Sequence, residues 1–224
     1  MIDLHSHLLF GIDDGPERIE ESLEIIKHLS SFGFIELIPT PHKFHSLFNP
    51  VSGDVLNRVE ELKKSIIKRF SFEYNCVVSA ITELENHHEI CVTSDGKKVI
   101  LVEFASAMVR KNEIEQSVRS LNMAGFVPLL AHIERYFKND EFWIELKKKC
   151  RVFYQGSIGV FSKPSFNVKK KQLMRLMDME LIDNLATDIH RVSQLVKIEK
   201  GLDFFHKTFK NYSLDMFTDS FDCK

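Results

Sequence analysis

Cysteine is scarce and scattered. Cys76, Cys91, Cys150 and Cys223 contain no CxxC pair. This spacing excludes a thiolate metal motif and a disulfide framework, and it suits reduced thiols in the cytoplasm. A cysteine-phosphatase loop needs an arginine six residues after its thiol. The positions six beyond Cys76, Cys91 and Cys150 hold Thr82, Lys97 and Gly156, and Cys223 lies too near the end. GxSxG, GxxxxGK[ST] and GxGxxG are also missing, which removes the nucleophile elbow, the P-loop and the dinucleotide fingerprint. Long hydrophobic runs are lacking. Val127–Ala131 is far too short to span a bilayer, and Met1–His7 has neither the basic nor the long apolar segment of a signal peptide. A cytoplasmic protein without membrane insertion is therefore expected. An excess of one charge is missing too, since 30 Lys and Arg stand against 32 Asp and Glu for a net charge of −2. That balance argues against broad nucleic-acid binding. Tryptophan occurs once and tyrosine four times, against 19 Phe, which reads as core filling. No Pro/Gly/Ser-rich linker divides the chain. A single domain over residues 1–224 is expected, with enough chain to bury a core unaided by disulfides.

What is present is an alternation. Short β-branched or Leu-rich runs are followed by longer charged stretches with helical spacing. The spacing predicts strands at Met1–Leu4, Phe34–Pro39, Tyr74–Ser79, Val99–Val102, Phe126–Leu130, Val152–Tyr154 and Leu181–Leu185. It predicts helices at Glu17–Ser31, Val55–Arg69, Glu113–Ala124, Glu141–Cys150, Val168–Met179 and Val192–Lys200. In the first helix Ile19, Leu23, Ile26 and Leu29 form one apolar stripe. Gly33 and Gly125 stand where C-caps belong. Seven strands alternating with helices imply an α/β fold with a mostly parallel sheet, and seven units fit a barrel-like closure better than a doubly wound sheet.

Metal-type side chains recur just past these strands. His5 and His7 follow the first and His42 the second. Glu83, Glu103 and His132 follow the third, fourth and fifth, and Asp188 and His190 the seventh. In a βα barrel the C-terminal strand ends share one rim, where a site is built from several strands. The pairs His5/His7 and Asp188/His190 have i, i+2 spacing, which in extended chain points both members to one side. Asp14 is a further candidate. Taken singly, each residue reads as an ordinary loop or surface group; together they read as a site of imidazole and carboxylate ligands. Such ligands suit Mn²⁺, Fe²⁺ or Zn²⁺, and several acids favour a multinuclear centre. His45, His87 and His88 fit no such position and read as surface residues. Gly156-Ser-Ile-Gly159 reads equally as a turn or as a backbone cradle for an anion.

The same residues carry a family pattern. Met1-Ile-Asp-Leu-His-Ser-His7 and Gly11-Ile-Asp-Asp-Gly-Pro16 resemble the opening of PHP-superfamily proteins (polymerase and histidinol phosphatase). More closely they resemble the bacterial manganese-dependent tyrosine-protein phosphatases encoded with capsular and exopolysaccharide genes. Thr40-Pro-His42, Leu101-Val-Glu-Phe104, Gly125–Tyr136 and Ala186-Thr-Asp-Ile-His190 extend the resemblance. The motifs lie within residues 1–191, and residues 192–224 are expected to form a C-terminal helical tail. The resemblance implies a distorted (β/α)₇ barrel of the PHP type with three divalent ions, Mn²⁺ favoured and Fe²⁺ or Zn²⁺ as alternatives. One ion would take His5, His7, Glu83 and Asp188. A second would take Glu83, Glu103 and His132, and a third Asp14, His42 and His190. Leu84 follows Glu83 where the family has an aromatic, which leaves Glu85 as a rival for the bridging role. Arg135 would bind the substrate phosphate. No Arg-Pro follows the Asp188-x-His190 motif, so Arg191 is the available second arginine.

The activity implied is hydrolysis of a phosphomonoester by metal-activated water, without a cysteine nucleophile. Catalytic roles fall to Arg135, His42 and His190. Protein phosphotyrosine is the favoured substrate, with a bacterial tyrosine kinase tail as a candidate partner and exopolysaccharide synthesis as the process regulated. Two alternatives stand beside it. One is a small-molecule phosphatase of the histidinol-phosphatase kind. The other is a metal-binding regulatory protein with little turnover.

Overall fold

A computed structural model describes residues 1–62, 66–75, 88–104, 109–210 and 221–222. Helices and short strands alternate along the chain. The strands are β1 (Ile2–Ser6), β2 (Glu36–Pro39), β3 (His42–Lys43), β4 (Glu73–Asn75), β5 (Cys91–Thr93), β6 (Lys98–Glu103), β7 (Phe126–Leu130), β8 (Phe153–Ser157), β9 (Asn184–Ala186) and β10 (Phe221–Asp222). The helices are α1 (Ile19–Ser31), α2 (Ser52–Leu62), α3 (Lys111–Met123), α4 (Asp140–Lys149), α5 (Val168–Asp178) and α6 (Leu195–Thr208). Among the described residues no helix is long and apolar enough to cross a membrane.

The sheet is largely parallel. β3, β4, β6, β7, β8 and β9 lie side by side in that order, every neighbouring pair parallel. β5 pairs antiparallel with the start of β6, and β10 pairs antiparallel with β5. β1 and β2 form their own parallel pair. A single bridge, Ser6 to Ile189, ties β1 to the chain just past β9. Asp3 strengthens that tie: its buried carboxylate accepts from the Thr187 N–H at 3.1 Å and from the Thr187 hydroxyl at 2.5 Å.

Strand alternation separates two apolar clusters. The larger packs the helices on the sheet and includes Ile25, Leu29, Val55, Val102, Val118, Trp143, Leu173 and Phe205. The smaller consists of Leu4, Ile38, Ile90, Cys91, Val99, Leu101, Val127, Leu129 and Ala131. Val99 and Leu101 share a face of β6 with Glu103, because residues two apart point the same way. The smaller cluster is therefore a floor beneath the acidic end of that face.

Several boundaries differ from the sequence expectation. In α1 the buried face is Ser22, Ile25, Ile26 and Leu29, and Leu23 is exposed. Leu23 lies one residue, about 100° of helix, round from buried Ser22 and so at the stripe's edge. The second helix ends before Ile66; residues 66–72 run without helix into β4, and Ile67, Phe70 and Phe72 are buried there. β3, β5 and β10 are strands that the spacing did not signal, all of three residues or fewer. The C-terminal segment is not purely helical: α6 buries Leu195, Ile198, Leu202 and Phe205, and the chain returns to the sheet as β10. Gly33 and Gly125 do take left-handed backbone, at φ 95° and 90°, directly after α1 and α3.

Candidate metal centre

Nine polar side chains converge where the parallel strands end. At the end of β1 the His5 and His7 Nε2 atoms stand 3.2 Å apart. Glu73, the first residue of β4, reaches both: Oε1 lies 3.2 Å from His5 Nε2 and Oε2 lies 3.2 Å from His7 Nε2. Its Oε2 also lies 2.9 Å from His42 Nδ1, though off hydrogen-bond geometry. Glu103, the last residue of β6, faces His132 Nε2 at 3.3 Å. Asp188 Oδ1 lies 3.3 Å from His5 Nε2. Asp14 Oδ1 is 3.5 Å from both His42 Nε2 and His190 Nε2, and the His190 ring stacks on His7 at 4.0 Å.

The backbone is bent to make this possible. His132 and Asp188 adopt left-handed conformations, at φ 34° and 50°. Bulky residues are held there only where the surroundings over-determine them, which is common at functional sites. Because of that bend, Asp188 and His190 do not act as an extended pair. Asp188 turns to the deep side, against His5, and His190 to the shallow side, against Asp14. Gly15 lets the Asp13–Asp14 loop close on His7: a Cβ there would meet the His7 carbonyl oxygen at 2.0 Å.

A further layer fixes the rings. His5 Nδ1 bonds Gln155 Oε1 at 2.7 Å, and the Gln155 amide nitrogen donates to Asn184 Oδ1 at 2.8 Å. His7 Nδ1 donates to Asp13 Oδ2 at 2.7 Å. With Nδ1–H engaged outward, each neutral ring presents its Nε2 lone pair inward. In that form two lone pairs meet the Glu73 and Asp188 carboxylates at one place, with Glu73 Oε1 buried and lacking any hydrogen-bond partner. A cation resolves that conflict, so the residues fit divalent metal ions. Among the described residues three groups have ligand atoms all within 4.8 Å of one another: His5, His7 and Glu73; His42, Glu73 and Glu103; and His7, Asp14, His42 and His190.

The charges are strongly coupled. Burial pushes His5 and His7 toward neutrality, but Glu73 and Asp188 around His5, and Asp13 and Glu73 around His7, outweigh it and raise both. Burial likewise opposes protonation of His42, yet Asp14 and Glu73 hold it up at about 9. His190, buried beside His7, is pushed down to about 4. His42 holds Asp14 down at about 2. Burial raises Glu73 and Asp188, and the histidines more than reverse this, leaving both below the usual carboxylate range.

The structure thus brings His5, His7, Asp14, His42, Glu103, His132, Asp188 and His190 together. Glu83 and Glu85 lie outside the described residues. Glu73, which the sequence reading passed over, occupies the centre. A signal for it existed: Phe70, Phe72 and Tyr74 alternate with Ser71, Glu73 and Asn75, which places a strand four residues earlier than read and puts Glu73 on its polar face. Asp13 and Gln155 were also missed. Arg135 pairs with Asp188 at the mouth. Arg191 turns away, its guanidinium 3.8 Å from Glu17. His45, read as a surface residue, is half-buried and stacks on His42 at 4.9 Å. His88, read likewise, packs on Phe70 at 4.4 Å.

The capsular polysaccharide synthesis family CpsB/CapC matches residues 1–220. The chain belongs to this family. Tyrosine-protein phosphatase CpsB of Streptococcus pneumoniae is 26% identical, across 93% of this chain and 91% of its own length. Putative tyrosine-protein phosphatase CapC of Staphylococcus aureus is 27% identical, across 86% and 78%. Among solved structures, that of YwqE from Bacillus subtilis and CpsB from Streptococcus pneumoniae, described as unique metal-dependent tyrosine phosphatases, superposes with a TM-score of 0.78. It shares 24% identity and covers 93% of this chain and 87% of that one. Dihydropyrimidinase from Brevibacillus agri shares the fold more distantly, with TM-score 0.57 and 12% identity, covering 98% of this chain and 68% of its own. The CpsB/CapC chain described here thus carries its carboxylate–histidine cluster on a fold with solved counterparts.

Proposed function

We propose that this CpsB/CapC protein is a metal-dependent protein-tyrosine phosphatase. The observation that carries the reading is the convergence of His5, His7 and Glu73 on one point, their outward nitrogens already satisfied. Three ions are inferred, Mn²⁺ favoured. His5, His7, Asp188 and Glu73 would hold the first. Glu73, Glu103, His132 and His42 surround the second position, and Asp14, His42, His190 and His7 the third. Glu73, shared by two of these groups, would serve where the resemblance put Glu83. The ions would supply charge neutralisation for the phosphate oxygens and a water activated near neutral pH.

The chain's own groups do the rest. Arg135 faces the mouth with a guanidinium that can meet two phosphate oxygens at once. Asp14, His42 and His190 form the shallow corner, where the leaving phenolate oxygen would be stabilised. A distorted (β/α)₇ barrel would explain why ligands from so many strands share one rim. The Ser6–Ile189 bridge on one side supports it. On the other side the Ser71 and Glu73 N–H groups donate to the Pro39 and Pro41 carbonyls. A phosphorylated kinase tail in the cytoplasm is the substrate this reading favours, with capsule or exopolysaccharide synthesis as the process.

The test is hydrolysis of a phosphotyrosine peptide by chelator-stripped protein with Mn²⁺ restored, beside a His5→Ala/His7→Ala variant. Activity returning only in the wild type is expected. Hydrolysis that ignores metal but is abolished by iodoacetamide would overturn the reading.

A further inference from the structure

Beside the metal cluster the rim opens into a cleft of about 230 Å³. Arg135 and Asp188 form the end shared with the cluster, and Lys163, Lys169 and Lys197 line the remainder. Arg135 is paired with Asp188, so the two nearly cancel. None of the three lysines has an ion-pair partner among the described residues, and all three side chains are exposed. The cleft therefore carries three uncompensated positive charges next to the catalytic centre. Concave walls focus such a field and raise the local concentration of anions.

The walls are built, not incidental. One is the 3-10 turn Ile158–Ser162 after β8, which contributes Gly159 to the lining. The other is the first turn of α6, whose N-terminal dipole end favours negative charge. Gly201 locks the two walls together: a Cβ there would meet the Ile158 carbonyl oxygen at 2.3 Å. The three lysines come from three separate segments, namely the end of the 3-10 turn, the start of α5 and the start of α6.

We propose that this cleft is a specificity subsite for a second anionic side chain on the substrate, lying a few residues from the phosphotyrosine. The inference rests on the phosphatase reading for what occupies the neighbouring cluster. The second anion is a carboxylate or a second phosphoryl group, and the cleft recognises the chemistry the two share.

The experiment compares phosphotyrosine peptides of one length with Glu, Gln or a second phosphotyrosine in the flank, on wild type and on Lys163→Ala/Lys169→Ala/Lys197→Ala. Expected in the wild type is a lower KM for both anionic flanks, by roughly fivefold to tenfold over Gln, falling steeply with salt. The triple variant should lose that preference while keeping kcat on the Gln peptide. An advantage confined to the bis-phosphorylated peptide would identify the phosphoryl source; an equal one would identify charge alone. Unchanged discrimination in the triple variant, or none in the wild type, overturns the subsite. Hydrolysis of p-nitrophenyl phosphate separates the two readings, because it tests the phosphatase without engaging the cleft. If no ester is cleaved, binding of a phosphonate analogue of the Glu peptide, read by fluorescence anisotropy, still decides: weakening in the triple variant supports the subsite, and equal binding refutes it.

Discussion

The deep and shallow sides of the site are built differently. On the deep side His5, His7, Glu73 and Asp188 are all buried, and both histidine rings are held from behind by Gln155 and Asp13. On the shallow side Asp14 is exposed, and the neighbouring His190 is partly so. Rigid ligands on one side and adaptable charges on the other suit a centre that keeps its ions while exchanging substrates. Preorganisation is concentrated where charge must be neutralised, and solvent access where a peptide must enter.

The sharpest way to break this comparison is to remove its pivot. Glu73→Gln should lower kcat by about 10³-fold or more, since a carboxylate facing three histidines would become a neutral amide in a charged centre. Metal content by mass spectrometry should fall with it. Glu83→Gln, by contrast, should leave both close to wild type if Glu73 is the bridge. Near-normal metal content in Glu73→Gln would remove Glu73 from the centre.

One layer out, the effect should be smaller. Gln155→Ala and Asp13→Asn should each weaken Mn²⁺ binding by roughly 10–100-fold, the usual cost of losing the group behind a ligating imidazole. Titration calorimetry reads this directly. Loss in kcat with unchanged affinity would assign these residues to catalysis instead.

The shallow side should show itself through protons. In the metal-free protein His42 is held at about 9, so it is charged at pH 7 and must release its proton when an ion binds. His190, at about 4, is already neutral there and releases none. Metal uptake measured in two buffers of different ionisation enthalpy should therefore show net proton release at pH 7. The contribution from His42 should fade as pH rises through about 9, and His42→Ala should abolish it. Release that persists undiminished in His42→Ala would contradict the assignment.

The smallest effect is expected at Arg191. Arg191→Ala should change kcat/KM by no more than about twofold, because its pair with Glu17 is exposed and such pairs contribute little. Arg135→Ala should cost far more. A large loss at Arg191 would mean that substrate draws its side chain back to the mouth.

How much of this was legible in the sequence follows the same division. The His-x-His and Asp-x-His motifs and the block ending at Tyr136 pointed to most of the side chains that converge, because each sits just past a strand with a clear apolar pattern. Glu73 was hidden because its strand has three residues and its register is set by pairing: Glu73 lies opposite Leu101, and Asn75 opposite Glu103. Tertiary contacts of that kind leave only a short local trace, here the Phe70/Phe72/Tyr74 alternation. The lysine cleft was hidden for a similar reason, since residues 163, 169 and 197 become neighbours only when α6 packs on the turn after β8. The Gly156–Gly159 stretch hinted at an anion site, and its second glycine does line that cleft.

The tie between Asp3 and Thr187 has a consequence for how the molecule comes into being. It joins the third residue to Thr187, 184 positions further on, and the outermost candidate ligands, His5 and His190, lie at least as far apart along the chain. A ribosome therefore releases His5 and His7 long before Asp188 and His190. During synthesis the early histidines would thus be loose, low-affinity groups, and strong chelation would arrive abruptly when β1 meets the segment after β9. Tight metal uptake would then report that this long-range closure has taken place.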